Sequence, residues 1–140
     1  MRGQKTLFSH RSDEWETPQD LFDELDKEFH FEVDVCATNE NYKCLLHFTP
    51  ENDGLKADWS PWYSVWCNPP YSNIKEWAKK CSEHSGTVVM LVPARTDTKW
   101  FHEYCYNKPN VELRFIKGRL KFSGQGSAPF PSMLVIFRNK

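Results

Sequence analysis

The apolar residues of this chain fall into two spacings that take turns along it. In "WETPQDLFDELDKEF", Leu21, Phe22, Leu25 and Phe29 lie on one helical face. Thr17 suits the N-cap there, Pro18 the first helical position and Asp20 the capping-box position. Acidic residues crowd the first turns, where the helix dipole favours them. "FEVDVCA" follows with Phe31, Val33 and Val35 alternating with Glu32 and Asp34, a short strand ending near Asp34. Residues 38–63 are mostly polar and broken at Pro50, Gly54 and Pro61, with room for a short strand around Leu45, Leu46 and Phe48. "SVWC" reads as the next strand, and a helix is expected from about Ser72 to His84, with Ile74, Trp77, Ala78 and Cys81 inward and Gly86 closing it. "TVVMLVP" is apolar throughout, the mark of a central strand covered on both faces. "TDTKWFHEYCY" offers capping residues and then a stripe of Trp100, Phe101, Tyr104 and Cys105. "VELRFI", "RLKF" and "SMLVIF" are further strands. The loop from Ser123 to Pro131 is too short for a parallel crossover, so the last two are expected to pair antiparallel.

Strands alternating with helices predict an α/β fold on a mostly parallel sheet, made mixed by an antiparallel C-terminal hairpin. At 140 residues the chain is long enough for one domain with a real core. Residues 1–12 read as a flexible basic lead-in and 13–140 as the domain, with no internal repeat. No stretch approaches the ~20 apolar residues of a membrane span. The N-terminus "MRGQKTLFSH" lacks the apolar core of a signal peptide, so a cytoplasmic location is expected. Five cysteines, an odd number without any C-x-x-C, predict free thiols rather than a disulfide scaffold or a zinc site.

Charge changes the picture only when mapped. The net charge of −1 says little by itself. Residues 13–60, however, carry fourteen Asp or Glu against Lys27, Lys43 and Lys56, whereas from Lys108 onward seven Lys or Arg face Glu112 alone. That asymmetry is compatible with a polyanionic partner at the basic end, and equally with segregated solvated faces.

The candidate chemistry lies in "VWCNPPYSN". In open α/β sheets ligands sit beyond the carboxyl ends of strands, which is where Asn68-Pro69-Pro70-Tyr71 falls. Proline has no N–H, so a proline run leaves carbonyls unpaired, and Asn68 adds a side-chain carbonyl beside them. Two converging acceptors suit a group with two N–H bonds, such as the exocyclic amine of a planar base, with Tyr71 as a stacking face. Acceptors on both hydrogens would localise the nitrogen lone pair and stabilise the positive charge that develops as the amine attacks an electrophile. Neither a covalent enzyme intermediate nor a metal is needed, and no histidine has ligand spacing.

N-P-P-Y is the motif of amino-group methyltransferases. From about Trp15 to Phe137 the chain resembles the phage-type DNA N6-adenine methyltransferase family (Dam-type). The matching features are W-x-T-P at Trp15 to Pro18, D-V-C-A at Asp34 to Ala37, N-P-P-Y at Asn68 to Tyr71, "LVPARTDTKWF", "KGRLKF" and "SAPFPSMLVIF". The resemblance implies a single-domain Rossmann-like class I methyltransferase fold, S-adenosylmethionine as cofactor and double-stranded DNA as partner, the enzyme being a monomer or a homodimer that modifies phage DNA. It implies that Asn68 and the Pro69 carbonyl bind the adenine amine, with Pro70 stiffening the motif and Tyr71 stacking on a flipped-out base. It also implies that Trp15, Glu16, Thr17 and Pro18 close over the cofactor and that Asp34, Val35, Cys36 and Ala37 form its binding motif. Cys36 and Ala37 stand where the family's usual glycine-rich loop would be. Asp53 and Asp58 are both candidates for the cofactor's ribose or adenine. Arg95, Lys117, Arg119, Lys121 and Ser127 are the expected DNA contacts. N-P-P-Y also serves methylation of cytosine N4, RNA adenine or glutamine amides, and a non-catalytic DNA-binding module with the same fold is the alternative of a different class.

Overall fold

The computed structural model describes residues 15–122 and 126–139; the lead-in at 1–12 and the tip of the Ser123–Pro131 loop lie outside them. Two apolar runs organise the rest. Val33–Asp34 (β1), Ser64–Cys67 (β2) and Thr87–Pro93 (β3) lie side by side in parallel, in the register Val33↔Val65 and Val65↔Val88. Every residue of the three is buried. Such burial requires cover on both faces. The helix Gln19–Phe29 (α1) supplies Phe22 and Leu25 to one face, against Trp66, Val89, Leu91 and Ile136. The helix Ile74–Glu83 (α2) and a wide helical turn at Phe101–Cys105 cover the other, setting Ile74, Trp77, Cys81 and Phe101 against Val65, Val88 and Met90.

The C-terminal half departs from the sequence expectation. Ser132–Arg138 (β7) does not pair with "RLKF". It enters the main sheet between β3 and Val111–Phe115 (β4), antiparallel to both, and the strand order is β1-β2-β3-β7-β4. All seven residues of β3 find a partner in it, from Thr87↔Arg138 to Pro93↔Ser132. A seven-residue apolar strand gains far more burial between two strands than against a short edge. Lys121–Phe122 (β5) pairs instead with Gly126–Ser127 (β6) in a small separate hairpin.

Two local signals are also spent differently. α1 begins after Pro18 without a side-chain cap, because the Thr17 hydroxyl is engaged elsewhere. Gly86 does not cap α2, where His84 takes an extended conformation. It is needed because a Cβ there would stand 2.3 Å from the Tyr63 carbonyl oxygen, which accepts the Thr87 amide at the start of β3.

The carboxyl end of β1 is where the chain changes direction across the sheet. After β1 the backbone first runs to residues 46–48, whose Leu46 and Phe48 carbonyls accept the Asp34 and Ala37 amides. It then crosses to β2 on the other side of β1. This topological switch point is where open α/β sheets form ligand crevices. Among the described residues no helix is long and apolar enough to cross a membrane.

Candidate active site

A cleft of about 390 Å³ opens at that switch point. Asn68 stands at its wall, at the end of β2. Its amide nitrogen donates to the Trp15 carbonyl and to the Thr17 hydroxyl at 2.9 Å. A backbone carbonyl can only accept, so the NH₂ side of the amide must face Trp15. The side-chain oxygen is thereby left buried without a hydrogen-bond partner. An unpaired buried acceptor costs about 1–3 kcal/mol, so its presence at a cleft marks a place kept for a donor. Pro69 and Pro70 line the same cleft beside it.

Asp34 is the second unusual group. Only 2% exposed, its carboxylate accepts the Lys43 amide at 2.9 Å and the Cys36 amide at 3.2 Å. Burial outweighs these two donors and lifts its pKa from 3.8 to about 6. Asp34 is therefore ionised at neutral pH in surroundings that would gain from a cation. Asp53 reaches the cleft from a left-handed backbone conformation, φ 46°, with its carboxylate accepting the Leu55 amide. Gly54 follows it so closely that a Cβ would lie 1.9 Å from the Val35 carbonyl oxygen.

The cleft gathers Trp15, Glu16, Thr17, Asp34, Val35, Cys36, Ala37 and Asp53 together with Asn68, Pro69 and Pro70. Pro18 and Asp58 are not among its lining. Asp58 instead caps the turn at Ser60, accepting both its amide at 2.9 Å and its hydroxyl at 3.0 Å. Tyr71 is not among the cleft's lining either. It is buried, its ring meets Phe130 edge-on at 5.6 Å, and its hydroxyl has no partner. Burial raises its pKa, and the positive charge of Arg95 opposes that shift only weakly.

Arg95 is exposed just beyond β3, on the cleft side of the sheet. Lys117 and Arg119 are exposed before the small hairpin. Lys121 and Ser127 face each other across it, both exposed. Arg114 and Arg138 belong to a different system: with Glu28 and Glu112 they form an ion-pair cluster at the opposite end of the sheet. Part of the basic C-terminal charge is thus already neutralised. None of the five cysteines forms a disulfide, and burial pushes the Cys105 thiol up to about 12. No group of described residues has the make-up of a metal site.

Sequence reasoning missed the grip of Trp15 and Thr17 on Asn68, because the Thr-Pro pair reads locally as a helix start. It also passed over Gly54 and Phe48 as cleft walls. The Asp53-Gly54 pair was the available signal, since it marks a tight turn.

A family model for DNA N-6-adenine-methyltransferase (Dam) matches residues 4–139. The chain belongs to the Dam family. It is 33% identical over 140 residues to the DNA N-6-adenine-methyltransferase of Haemophilus phage HP1, an alignment covering 91% of this chain and 80% of that protein. It is also 33% identical over 103 residues to the protein of the same name from Escherichia phage T1, covering 71% of this chain and 43% of that longer protein. The reaction is accordingly methyl transfer to the N6 amine of adenine in DNA. In this Dam-family chain, Asn68, Pro69 and Pro70 of the N-P-P-Y motif form one wall of the cleft, with the buried Asn68 oxygen among them.

Proposed function

We propose that the chain methylates adenine in double-stranded phage DNA with S-adenosylmethionine as donor, on a Rossmann-like class I methyltransferase fold. The observation that carries this is the buried oxygen of Asn68, left without a partner while both N–H bonds of its amide are occupied. The strand arrangement supports the fold: parallel β1, β2, β3 and β4, one inserted antiparallel strand, and a cleft at the switch point.

The cleft lining fits such a donor. Asp34 is a buried carboxylate with a raised pKa in need of a cation, and S-adenosylmethionine carries an ammonium and a sulfonium. Asp53 is suited to hydroxyl groups, and Trp15, Phe48, Leu55 and Trp77 provide apolar walls. When bound, the donor supplies a methyl group activated by positive sulfur. The chain's own residues do the rest. Asn68 and the Pro69 carbonyl accept hydrogen bonds from the two N–H groups of the adenine amine and orient its lone pair, and the methylated nitrogen then releases one of those protons to solvent. Their dipoles are fixed in advance, so they stabilise positive charge on nitrogen without reorganising. Tyr71 offers a stacking face once the base displaces its contact with Phe130. Arg95, Lys117, Arg119, Lys121 and Ser127 hold the DNA backbone.

The test is incubation of the purified protein with S-adenosylmethionine and unmethylated duplex DNA, followed by digestion and nucleoside mass spectrometry. N6-methyladenine that requires the donor is the expected product. Asn68→Ala should lower its formation by about 10²–10³-fold, the usual cost of losing one oriented dipole, with donor affinity retained. Parental turnover by Asn68→Ala would overturn the assignment of the acceptor.

A further inference from the structure

The amide of Asn68 is a two-faced group. Rotated by half a turn about its last side-chain bond, it would present NH₂ to the cleft, and that torsion is broad and roughly two-fold. Nothing intrinsic to asparagine selects the oxygen. What selects it here is the segment before α1. The Trp15 carbonyl accepts one N–H and the Thr17 hydroxyl the other. Thr17 is 2% exposed, and Trp15 is wedged edge-on against Phe122 at 5.3 Å and Phe130 at 5.1 Å.

We propose that Trp15 and Thr17 form a clasp that holds Asn68 as an acceptor: the Trp15 carbonyl, which can only accept, sets which face of the amide meets the cleft, and the Thr17 hydroxyl engages the same nitrogen and fixes the amide plane, which makes Thr17 a positioning residue. The idea rests on the acceptor reading of Asn68 given above. A locked acceptor welcomes the amino group of adenine or cytosine. It repels the carbonyl that guanine or thymine carries at the corresponding edge, because oxygen would meet oxygen in a buried site. An unlocked amide would flip, set its NH₂ against the adenine amine, and lose both productive geometry and discrimination. Phe122 lies in the hairpin that carries Lys121 and Ser127, so the clasp is braced by the element expected to meet DNA.

Three variants and one spectrum test this. Thr17→Val keeps the shape and removes the acceptor. It should lower kcat on the order of 10²-fold, the scale of a small misplacement at a reacting centre, with KM for the methyl donor little changed. Thr17→Ser, which restores the hydroxyl, should recover most of that loss. In an ¹H–¹⁵N spectrum the Asn68 side-chain amide pair, identified by its disappearance in Asn68→Ala, should exchange slowly with water in the parent and faster in Thr17→Val. Thr17→Ala serves the same purpose if the valine variant does not fold. Asn68→Ala at parental rate would sink the acceptor reading itself. An inactive Asn68→Ala combined with Thr17→Val at parental kcat, or with a raised donor KM alone, would overturn the clasp and make Thr17 a donor contact. Fast exchange of the Asn68 amide in the parent would overturn the clasp without any variant.

Discussion

The two ends of the sheet handle polar groups in opposite ways. At the amino end of the parallel strands, Glu28, Glu112, Arg114 and Arg138 satisfy one another. Arg114 grips Glu28 with two nitrogens at 2.8 and 2.7 Å and Glu112 with a third at 2.6 Å, and both arginines pack over the Phe29 ring. At the carboxyl end, Asp34 is buried as a charge opposed mainly by backbone amides, and the Asn68 oxygen and Tyr71 hydroxyl have no partner at all. The charged cluster at the first end is paired and sits in water, although His84 at the same end also buries a ring nitrogen without a partner. The second carries buried polar groups at a cost that only a ligand removes.

The sharpest way to break this contrast is through pH. The folded pKa of Asp34 is raised from 3.8 to about 6, so between those values the folded protein holds a proton that the unfolded chain releases. Its contribution to stability is complete below about pH 4 and lost as pH rises through 6. Roughly two units at 1.36 kcal/mol each give about 3 kcal/mol by neutral pH. Asp34→Asn removes this titration, and urea denaturation from pH 4 to 8 should show the parent losing about that much relative to the variant. Parallel profiles for the two proteins would mean that Asp34 is not a strained charge.

Gly54 tests the same end sterically. A Cβ 1.9 Å from the Val35 carbonyl and 3.2 Å from the Phe48 side chain cannot be accommodated in place. Gly54→Ala should cost about 1–3 kcal/mol in thermal or urea unfolding, as overpacking does. It should weaken donor binding as well, since the turn carrying Asp53 must leave β1. A variant with unchanged stability and donor affinity would show that this wall is free to move.

Legibility in the sequence follows the same divide. Where one periodic pattern meets one burial demand, as in α1, β2, α2 and β3, the apolar spacing located the element. It failed where a residue carried two compatible roles. Thr17 has the chemistry of a helix cap, and only the fold reveals that its hydroxyl serves Asn68. Gly86 reads as a helix terminator, yet close backbone approach to Tyr63 is what requires it. The partner of β7 was misread because loop length limits only how neighbouring strands can pair, whereas seven buried residues compete for the best-covered edge. Asn68 was legible since its two prolines have few structural uses at a strand end. Its orientation was not, because the groups that set it lie more than fifty residues away in the chain.

The smallest effect belongs to the paired end. Hydrogen bonds from Arg114 and Arg138 hold the Glu112 carboxyl down near 2, against an ordinary value of 4.5. A depressed acid stabilises the fold above its unfolded pKa and loses that contribution as pH falls through the folded one, here between about 4.5 and 2. The side chain is 39% exposed, so solvent screens most of the apparent gain. Glu112→Gln should therefore cost less than about 1 kcal/mol at pH 7, and the difference should shrink further in 1 M salt, where the screening length is about 3 Å. Methyl transfer should be unaffected, because the cluster lies at the far end of the sheet from the cleft. A loss of activity without loss of stability in this variant would show that the two ends are coupled, and the division of labour between them would have to be given up.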